Sequence, residues 1–555
     1  MKFALSALGL AALATACSKD HPAQTNAPDI ARIAFTDVTT DSGLDCVQTA
    51  GRTPATQLPE VKGTGLALID YDNDGDLDVF VPNGAYLDAP DKGPGCRMFE
   101  NLGSLKFRDV TAALGLNYRG WGMGAAVGDV DGDGFDDIYI AAFGADVLLR
   151  NDAGKRFVDA TTVAGLGNEH WGMAAAFGDI DGDGDLDLYV VNYIRFDAAR
   201  PYPPERFHGV PVFAGPVGKP CDADVLYTND GHGRFTDISV ASGITAPKPS
   251  TGLGVAIFDV DGDGRQDIFV GNDSMPNFLF MNRGENKFEE LATASGIALN
   301  GDGAAQATMG IAIADVNDDG KPDVFTTNFA NDTNTLHVSA KNGLFFSDRT
   351  SQYGLGQISR PYLCWATAFH DFDLDGDEDL VVFDGHVYPN ATRETMDSTW
   401  AQVPLLFERK SERFERVEAS ARNEWLGQEH ADRSAVFGDL DGDGDVDIIV
   451  GGVNQKLRVL ANEARGNWVA VELLDERPAI GNRHGLGARV VLTQAQARQS
   501  RWIVSGAGYQ SASTTLVHFG LQDDSTCALE VTWPDGHAQK VGEIKPGQRF
   551  VVRRR

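Results

Sequence analysis

Short apolar segments recur along most of this 555-residue chain and are separated by polar, glycine-rich turns. One unit reads GWGMGAAVG at 120–128, DIYIAA at 137–142, VLLRNDAG at 147–154 and FVDATTVAGL at 157–166, and similar units return at intervals of 50–80 residues. Four short strands repeated in this way are typical of propeller blades. We therefore predict an all-β fold, a seven-bladed β-propeller over residues 31–463.

The order of the units predicts how the ring closes. A fourth-strand segment, FTDVTTDSGL at 35–44, precedes the first complete unit, whereas no such segment follows the last one. We expect the N-terminal strand to complete the last blade, because that exchange closes the ring and hides exposed sheet edges.

A nine-residue acidic loop joins the first and second strands of each unit, for example DVDGDGFDD at 129–137 and DLDGDGDVD at 439–447. All seven copies carry oxygen-bearing side chains at positions 1, 3, 5 and 9 and glycine at position 6. This spacing gathers carboxylates around one point, and the glycine permits the sharp turn that an oxygen-ligated Ca²⁺ loop needs. A single loop of this kind is more often a solvated turn, but seven copies with one spacing indicate calcium.

The sequence thus predicts up to seven bound Ca²⁺ ions, with position 7 contributing only its backbone carbonyl, since its side chain varies. The candidate ligands are Asp70, Asp72, Asp74, Asp76 and Asp78; Asp129, Asp131, Asp133, Phe135 and Asp137; Asp179, Asp181, Asp183, Asp185 and Asp187; Asp259, Asp261, Asp263, Arg265 and Asp267; Asp315, Asn317, Asp319, Lys321 and Asp323; Asp371, Asp373, Asp375, Asp377 and Asp379; and Asp439, Asp441, Asp443, Asp445 and Asp447.

The repeats resemble the FG-GAP repeats of integrin α-chain propellers and of related bacterial proteins. Residues 464–555 resemble the ASPIC/UnbV domain through GNWVAVELL at 466–474, GAGYQS at 506–511 and VTWPDG at 531–536. The combination is similar to bacterial members of the cartilage acidic protein family. Alternating short strands in residues 464–555 predict a small β-sandwich after the propeller.

Charge and the N-terminus bear on location and partners. A formal charge of −33 argues against nucleic acid or an anionic membrane surface as a partner.

Residues 1–16 are typical of a signal peptide, and Ala14–Cys17 resembles a bacterial lipobox in which Cys17 is lipidated. The alternative is ordinary cleavage near Ala16. With a polar tether at 17–30, we expect a periplasmic, outer-membrane or cell-surface lipoprotein that meets the membrane only through its lipid anchor.

Five further cysteines remain in the exported chain. Cys46 and Cys96 flank the first loop and form our preferred disulfide. Cys364 lies in an apolar strand and is expected in the core.

Long connections between second and third strands are expected on the face opposite the acidic loops, where loops on a rigid scaffold commonly carry binding function. Candidate ligand-binding residues on this face are Trp121, His170, Trp171, Tyr202, His208, Trp365, His386, Tyr388 and Arg433. In the alternative interpretation the tryptophans only pack the inner strands and plug the channel. His170, His208 and His386 could also converge on a second metal, although no short ligand spacing supports this idea.

The leading functional prediction is an exported, calcium-binding propeller lipoprotein that acts as a binding or adhesion module for a glycan, an envelope component or a protein. The alternative is an enzyme, a hydrolase, a lyase or a natural-product tailoring activity, on the opposite face. The sequence offers no nucleophile elbow, HExxH or dinucleotide fingerprint for it. A third possibility is a scaffold that only displays the C-terminal domain.

Overall fold

Seven antiparallel sheets carry the seven acidic loops in the computed structural model, which describes residues 33–341, 343–477 and 481–555. The all-β prediction is confirmed for these residues. The predicted signal peptide, the lipidation site Cys17 and the tether lie outside the described residues. Among the described residues, no helix is long and apolar enough to cross a membrane.

Each sheet has four strands from the repeated units, and the acidic loop joins the first strand to the second. The fourth sheet gains a fifth strand, Ser505–Gly506, from the C-terminal domain. The strands of the successive sheets are Ala67–Ile69, Asp78–Val81, Arg97–Asn101 and Phe107–Asp109; Gly122–Gly128, Asp137–Ala142, Val147–Asn151 and Phe157–Asp159; Gly172–Gly178, Asp187–Asn192, Val225–Asn229 and Phe235–Asp237; Gly252–Phe258, Asp267–Asn272, Phe278–Asn282 and Phe288–Glu290; Ile311–Ala314, Asp323–Thr326, Thr335–Ser339 and Phe346–Asp348; Cys364–His370, Asp379–Asp384, Leu405–Lys410 and Arg413–Arg416; and Asp432–Gly438, Asp447–Gly452, Arg458–Asn462 and Phe35–Asp37.

The sheets form a closed ring, because each first strand contacts the first strands of both neighbouring sheets. The N-terminal strand Phe35–Asp37 pairs antiparallel with Arg458–Asn462 and so completes the seventh sheet, as the order of the units predicts. Small residues let the first strands approach closely. A Cβ atom on Gly124 would lie only 2.8 Å from the carbonyl oxygen of Met173 in the next sheet.

The C-terminal domain consists of two further sheets that share one hydrophobic core, which includes Trp533 and Val490. The first sheet contains Val517–Leu521, Asn467–Asp475 and Gln548–Arg554, and the second contains Ala497–Trp502, Arg489–Gln494, Cys527–Thr532 and Ala538–Ile544. The remaining elements are the short strands Val47–Gln48, Glu205–Phe207, Val210–Val212, Gln455–Lys456 and Ser505–Gly506 and the single helical turns Thr39–Ser42, Leu58–Val61, Pro90–Lys92, Ser239–Ser242, Ala292–Ser295, Arg393–Met396 and Glu424–Gly427.

Candidate metal centres

The acidic loops bring carboxylate oxygens to within 4.8 Å of one another. In four of them the converging side chains come from positions 1, 3 and 9, and in another from positions 1, 3 and 5. These groups are Asp70, Asp72 and Asp78; Asp129, Asp131 and Asp137; Asp179, Asp181 and Asp187; Asp371, Asp373 and Asp379; and Asp259, Asp261 and Asp263. An all-oxygen donor set of this kind suits a hard divalent cation such as Ca²⁺.

The aspartate at position 1 folds the loop around itself. Asp70 accepts hydrogen bonds from the backbone N–H groups of Asp74 and Gly75, both at 3.0 Å. The glycine at position 6 adopts a φ of 97° in Gly75 and 94° in Gly134, a left-handed conformation that disfavours any residue with a side chain. The invariant glycine is therefore a backbone requirement of the turn.

The aspartate at position 9 has a structural role in every loop. Asp137 accepts one hydrogen bond from the N–H of Val130 at position 2 (3.1 Å) and another from the N–H of Asn151 at the end of the third strand (2.8 Å). The same pair of bonds is made by Asp78, Asp187, Asp267, Asp323, Asp379 and Asp447. This carboxylate therefore fixes both ends of the loop to the sheet.

The loop carboxylates are crowded and only partly solvated, which disfavours their charged forms. Burial raises the pKa of Asp70 and of Asp129 to about 6, and that of Asp371 to about 8. Asp72 Oδ1 and both carboxylate oxygens of Asp445 are buried without a hydrogen-bond partner. Unpartnered buried oxygens that face other carboxylates are the environment a cation would satisfy, so the residues present fit a bound Ca²⁺.

The seven loops differ in the cations that surround them. Arg265, at position 7 of the fourth loop, contacts the carboxylate of Asp263, and Arg150 contacts Asp131 in the second loop. Lys321 reaches the carbonyl oxygen of Asp261 at 3.4 Å. Because the Arg265 guanidinium competes with a metal for the Asp263 carboxylate and Lys321 adds a second positive charge nearby, we expect weaker calcium binding in the fourth loop than in the first.

An asparagine at the end of the third strand links neighbouring sheets, and the sequence reasoning missed it. Asn151 Nδ2 donates to the carbonyl oxygen of Tyr71 in the preceding acidic loop (2.8 Å) and to that of Asp136 in its own loop (3.2 Å). Equivalent bonds are made by Asn101, Asn229, Asn282 and Asn462. Asparagine recurs at the end of the third strand in five of the seven sheets, as in ENLG and MNRG, and this recurrence is the sequence signal for the link.

The C-terminal domain covers the face that carries the acidic loops. It donates hydrogen bonds to the carbonyl oxygen of the position-6 glycine in four loops: Arg549 to Gly75 at 2.8 Å, Arg483 to Gly134 at 2.7 Å, Asn482 to Gly184 at 3.0 Å and His518 to Gly444 at 2.6 Å. The N–H of Gly520 donates to the Asp371 carboxylate itself at 3.0 Å. The loops and the C-terminal domain are thus in direct contact.

The GAGYQS segment of the C-terminal domain enters the central channel of the ring. Ser505–Gly506 pairs with the first strand of the fourth sheet, Gly508 bridges to Ile311, and Gln510 accepts a hydrogen bond from the N–H of Ala125 at 3.2 Å. The Tyr509 side chain is fully buried, and its hydroxyl donates to the carbonyl oxygen of Lys62 at 3.1 Å. This segment therefore joins several sheets from the inside.

Most of the residues predicted to bind a ligand on the opposite face are buried. Trp121, Trp171, Trp365, His386, Tyr388 and Arg433 are all less than a tenth exposed. The Arg433 guanidinium carbon lies 4.2 Å from the centre of the Trp365 ring, and Trp365 Nε1 donates to the carbonyl oxygen of Gly385 at 2.7 Å. These contacts support the alternative interpretation, in which the tryptophans pack the inner strands. Tyr202, His170 and His208 remain accessible.

The ring nitrogens of the three histidines share no hydrogen-bond or ion-pair partner among the described residues, although the rings of His208 and His386 both pack near Phe207. His170 Nδ1 lies 3.1 Å from the Asp222 carboxylate, the His208 ring stacks on Phe207, and His386 Nδ1 accepts a hydrogen bond from the N–H of Tyr388. Burial lowers the pKa of His386 to about 3, so its ring is neutral. This part of the described structure gives no support to a shared metal.

Cys46 and Cys96 are free, buried thiols, contrary to the predicted disulfide. Cys46 packs between the seventh and first sheets, whereas Cys96 packs between the first and second. The first sheet therefore separates the two side chains. Burial raises the pKa of Cys46 to about 12 and that of Cys96 to about 11.

Comparison with known proteins gives matches over both parts of the chain. The FG-GAP-like repeat family matches residues 70–140, 129–190, 212–270, 259–326 and 315–382, and the ASPIC and UnbV family matches 479–555. Cartilage acidic protein 1 of Xenopus tropicalis is 27% identical over 497 residues, which cover 85% of this chain and 70% of that protein. The Homo sapiens protein is 30% identical over 307 residues. These residues cover 54% of this chain and 43% of the human protein.

A solved structure that is similar is a lectin of Agrocybe aegerita, described as recognising non-reducing terminal N-acetylglucosamine. It has 16% sequence identity and a TM-score of 0.35, with 72% of this chain and 90% of the lectin covered. At this TM-score the likeness carries no information on a ligand.

Proposed function

Since the chain belongs to the FG-GAP-like repeat family and carries an ASPIC and UnbV domain, we propose that it is a calcium-stabilised binding module. Calcium in the acidic loops rigidifies the ring of sheets, the C-terminal domain covers the loop face, and the opposite face is left to meet a ligand. The observation that carries the proposal is the convergence of aspartate oxygens to within 4.8 Å in successive loops.

The electrostatics of the loops support the calcium part of the proposal. Two carboxylates about 4 Å apart repel each other by roughly 4 kcal/mol at an effective dielectric constant of ~20. A bound cation turns this repulsion into coordination through the side chains at positions 1, 3, 5 and 9 and the carbonyl oxygen at position 7. Affinities of about 10⁻⁴–10⁻³ M would suffice in an extracellular setting.

We further propose that the protein is exported and acts at the cell envelope as a lipoprotein anchored through Cys17, with a glycan, an envelope component or another protein as its partner. The apolar N-terminal stretch and the lipobox-like sequence support this location. Labelling of the cells with a radioactive fatty acid tests the anchor. Loss of label in a Cys17→Ser variant is expected, and equal labelling of both chains would contradict it.

Thermal unfolding with and without calcium tests the stabilising role. Calcium at about 100 times its dissociation constant adds roughly 2.7 kcal/mol per site to the stability, so the melting temperature should rise clearly over that in a chelator. Asp72→Asn, which removes a ligand charge from the first loop, should reduce the rise. Asp91→Asn is the matched control, because Asp91 is an exposed aspartate outside the acidic loops. An unchanged melting temperature on chelation would contradict the proposal.

A further inference from the structure

A groove of about 510 Å³ lies on the face opposite the acidic loops, between connections of the third and sixth sheets and the segment around Leu58. Four aromatic rings, those of Phe196, Tyr202, Phe213 and Tyr388, contribute to its lining, together with five prolines. A volume of this size falls within the range of about 300–1,000 Å³ that is usual for small-molecule sites.

The walls of the groove are held in place before any ligand arrives. The Tyr202 hydroxyl donates to the carbonyl oxygen of Arg195 at 2.8 Å, and the rings of Phe213 and Tyr388 pack with centroids 5.2 Å apart. Asn390 Nδ2 donates to the carbonyl oxygen of Pro211 at 3.3 Å and so joins two of the connections. Prolines restrict the backbone φ, and a preformed site spares a ligand the entropy cost of ordering it.

The chemistry of the lining excludes a charged ligand. Among the described residues that line the groove, none carries a charged side chain. The nearby Lys219 ammonium lies 5.2 Å from the Tyr202 ring centre, but it is neutralised by Glu205 at 2.6 Å.

We infer that this groove binds a neutral, largely apolar small molecule that carries a flat ring. The inference deepens the proposed binding function and rests on it, because it names the site and the chemical class of the ligand. The aromatic walls provide the apolar contact area, and the lack of charge in the lining selects against anions and cations, which would lose their hydration without a partner.

Two related dyes test the inference on the full chain at saturating calcium. N-phenyl-1-naphthylamine is neutral, aromatic and has one N–H donor, whereas 8-anilino-1-naphthalenesulfonate adds a negative charge to the same framework. We expect saturable fluorescence enhancement with the neutral dye and at least about tenfold weaker binding of the anionic dye, because its sulfonate finds no partner in the groove. Equal affinity for the two dyes would overturn the inference.

Two variants test whether the neutral dye binds in the groove. Ala55→Trp fills the groove and Phe213→Ala removes one wall, and each should weaken binding of the neutral dye by about tenfold or more. Both positions are partly exposed loop residues, so folding should survive, which the melting temperature checks. Phe345→Ala is the matched control, because Phe345 is an exposed aromatic residue outside the groove. Unchanged binding in the two groove variants, or an equal loss in the control, would overturn the inference.

The calcium response separates this inference from the proposed function. A rise in melting temperature with calcium but no binding of the neutral dye would overturn the groove assignment alone. Saturable dye binding that the groove variants weaken, without any calcium response, would support the groove and contradict calcium stabilisation.

Discussion

At the scale of single residues, aspartates in one loop have different tasks. The position-9 carboxylates, such as Asp137, use both oxygens to accept backbone hydrogen bonds, whereas Asp72 at position 3 leaves a buried oxygen without a partner. The position-9 carboxylate fixes the loop to the sheet as well as belonging to the candidate ligand group, whereas Asp72 has an oxygen that only a metal would satisfy. The repeated spacing predicted both sets of residues, but only the geometry shows this division.

The raised pKa values predict how calcium-free protein responds to pH. Asp129 has a pKa of about 6, Asp179 about 7 and Asp371 about 8, all above the 3.8 of an ordinary aspartate. A folded state with the higher pKa binds more protons than the unfolded chain, so these groups favour folding at low pH and lose that contribution as the pH rises through these values. Without calcium, stability should therefore fall between about pH 4 and pH 8.

Calcium should reverse this trend, because it binds the ionised carboxylates and competes with protons for them. The rise in melting temperature that calcium produces should thus be small near pH 5 and large near pH 8, as melting curves in matched buffers with calcium or chelator would show. The same calcium effect at both pH values would contradict the role of these aspartates.

The asparagine that links neighbouring sheets gives a second prediction at this scale. Asn151→Ala removes the donor to the Tyr71 and Asp136 carbonyl oxygens and leaves them unpaired, at an expected cost of about 1–3 kcal/mol in the free energy of unfolding. Urea denaturation in a calcium-containing buffer measures this loss of stability. Asn117→Ala changes an exposed asparagine and serves as the control. Equal stability of the two variants would argue against the linking role.

At the scale of elements, the N-terminal strand is the piece that closes the ring. Phe35 is buried against Trp425 and Phe372, with ring centroids 5.8 and 5.4 Å apart. The unmatched FTDVTTDSGL segment predicted this pairing, because a repeated fourth strand without its own blade needs a partner sheet. The apolar pattern likewise predicted the strands around each acidic loop.

Phe35→Ala should destabilise the protein by about 3–5 kcal/mol, because it empties a packed site beside the closing strand. Val158→Ala is the matched control, since Val158 lies on the outermost strand of the second sheet but is 45% exposed. Urea denaturation gives both values, and size-exclusion chromatography reports association through a freed sheet edge. If Phe35→Ala lowers the free energy of unfolding no more than the control does, the result would argue against closure of the ring by this strand.

At the scale of the whole molecule, the placement of the C-terminal domain is what the sequence could not reveal. The GAGYQS residues identified the domain, but their contacts join positions far apart in the chain, such as Gly508 with Ile311. Local patterns carry no record of such long-range docking. For the same reason the sequence could not show that Trp365 and Arg433 are buried at the channel rather than exposed in a ligand site.

The contacts between the acidic loops and the C-terminal domain predict that calcium stabilises the docking of that domain. Removal of calcium should increase amide hydrogen exchange in the loops and also in the channel segment 505–512, because the domain that carries this segment is attached to the loops by hydrogen bonds such as Arg483 to Gly134. The strands Arg489–Gln494 and Cys527–Thr532 belong to the domain's own core and should stay protected. Exchange that rises in the loops alone would contradict this coupling.

The most direct test of the central claim is a count of the calcium bound per chain. Exhaustively chelated protein is dialysed against calcium at about 10⁻³ M, the weak end of the expected affinities, and the bound metal is measured by mass spectrometry. Binding of several ions per chain, up to one for each of the seven loops, with fewer ions bound when Asp72 and Asp441 are both changed to asparagine, is the predicted result. Less than one ion per chain would contradict the assignment of the loops as calcium sites.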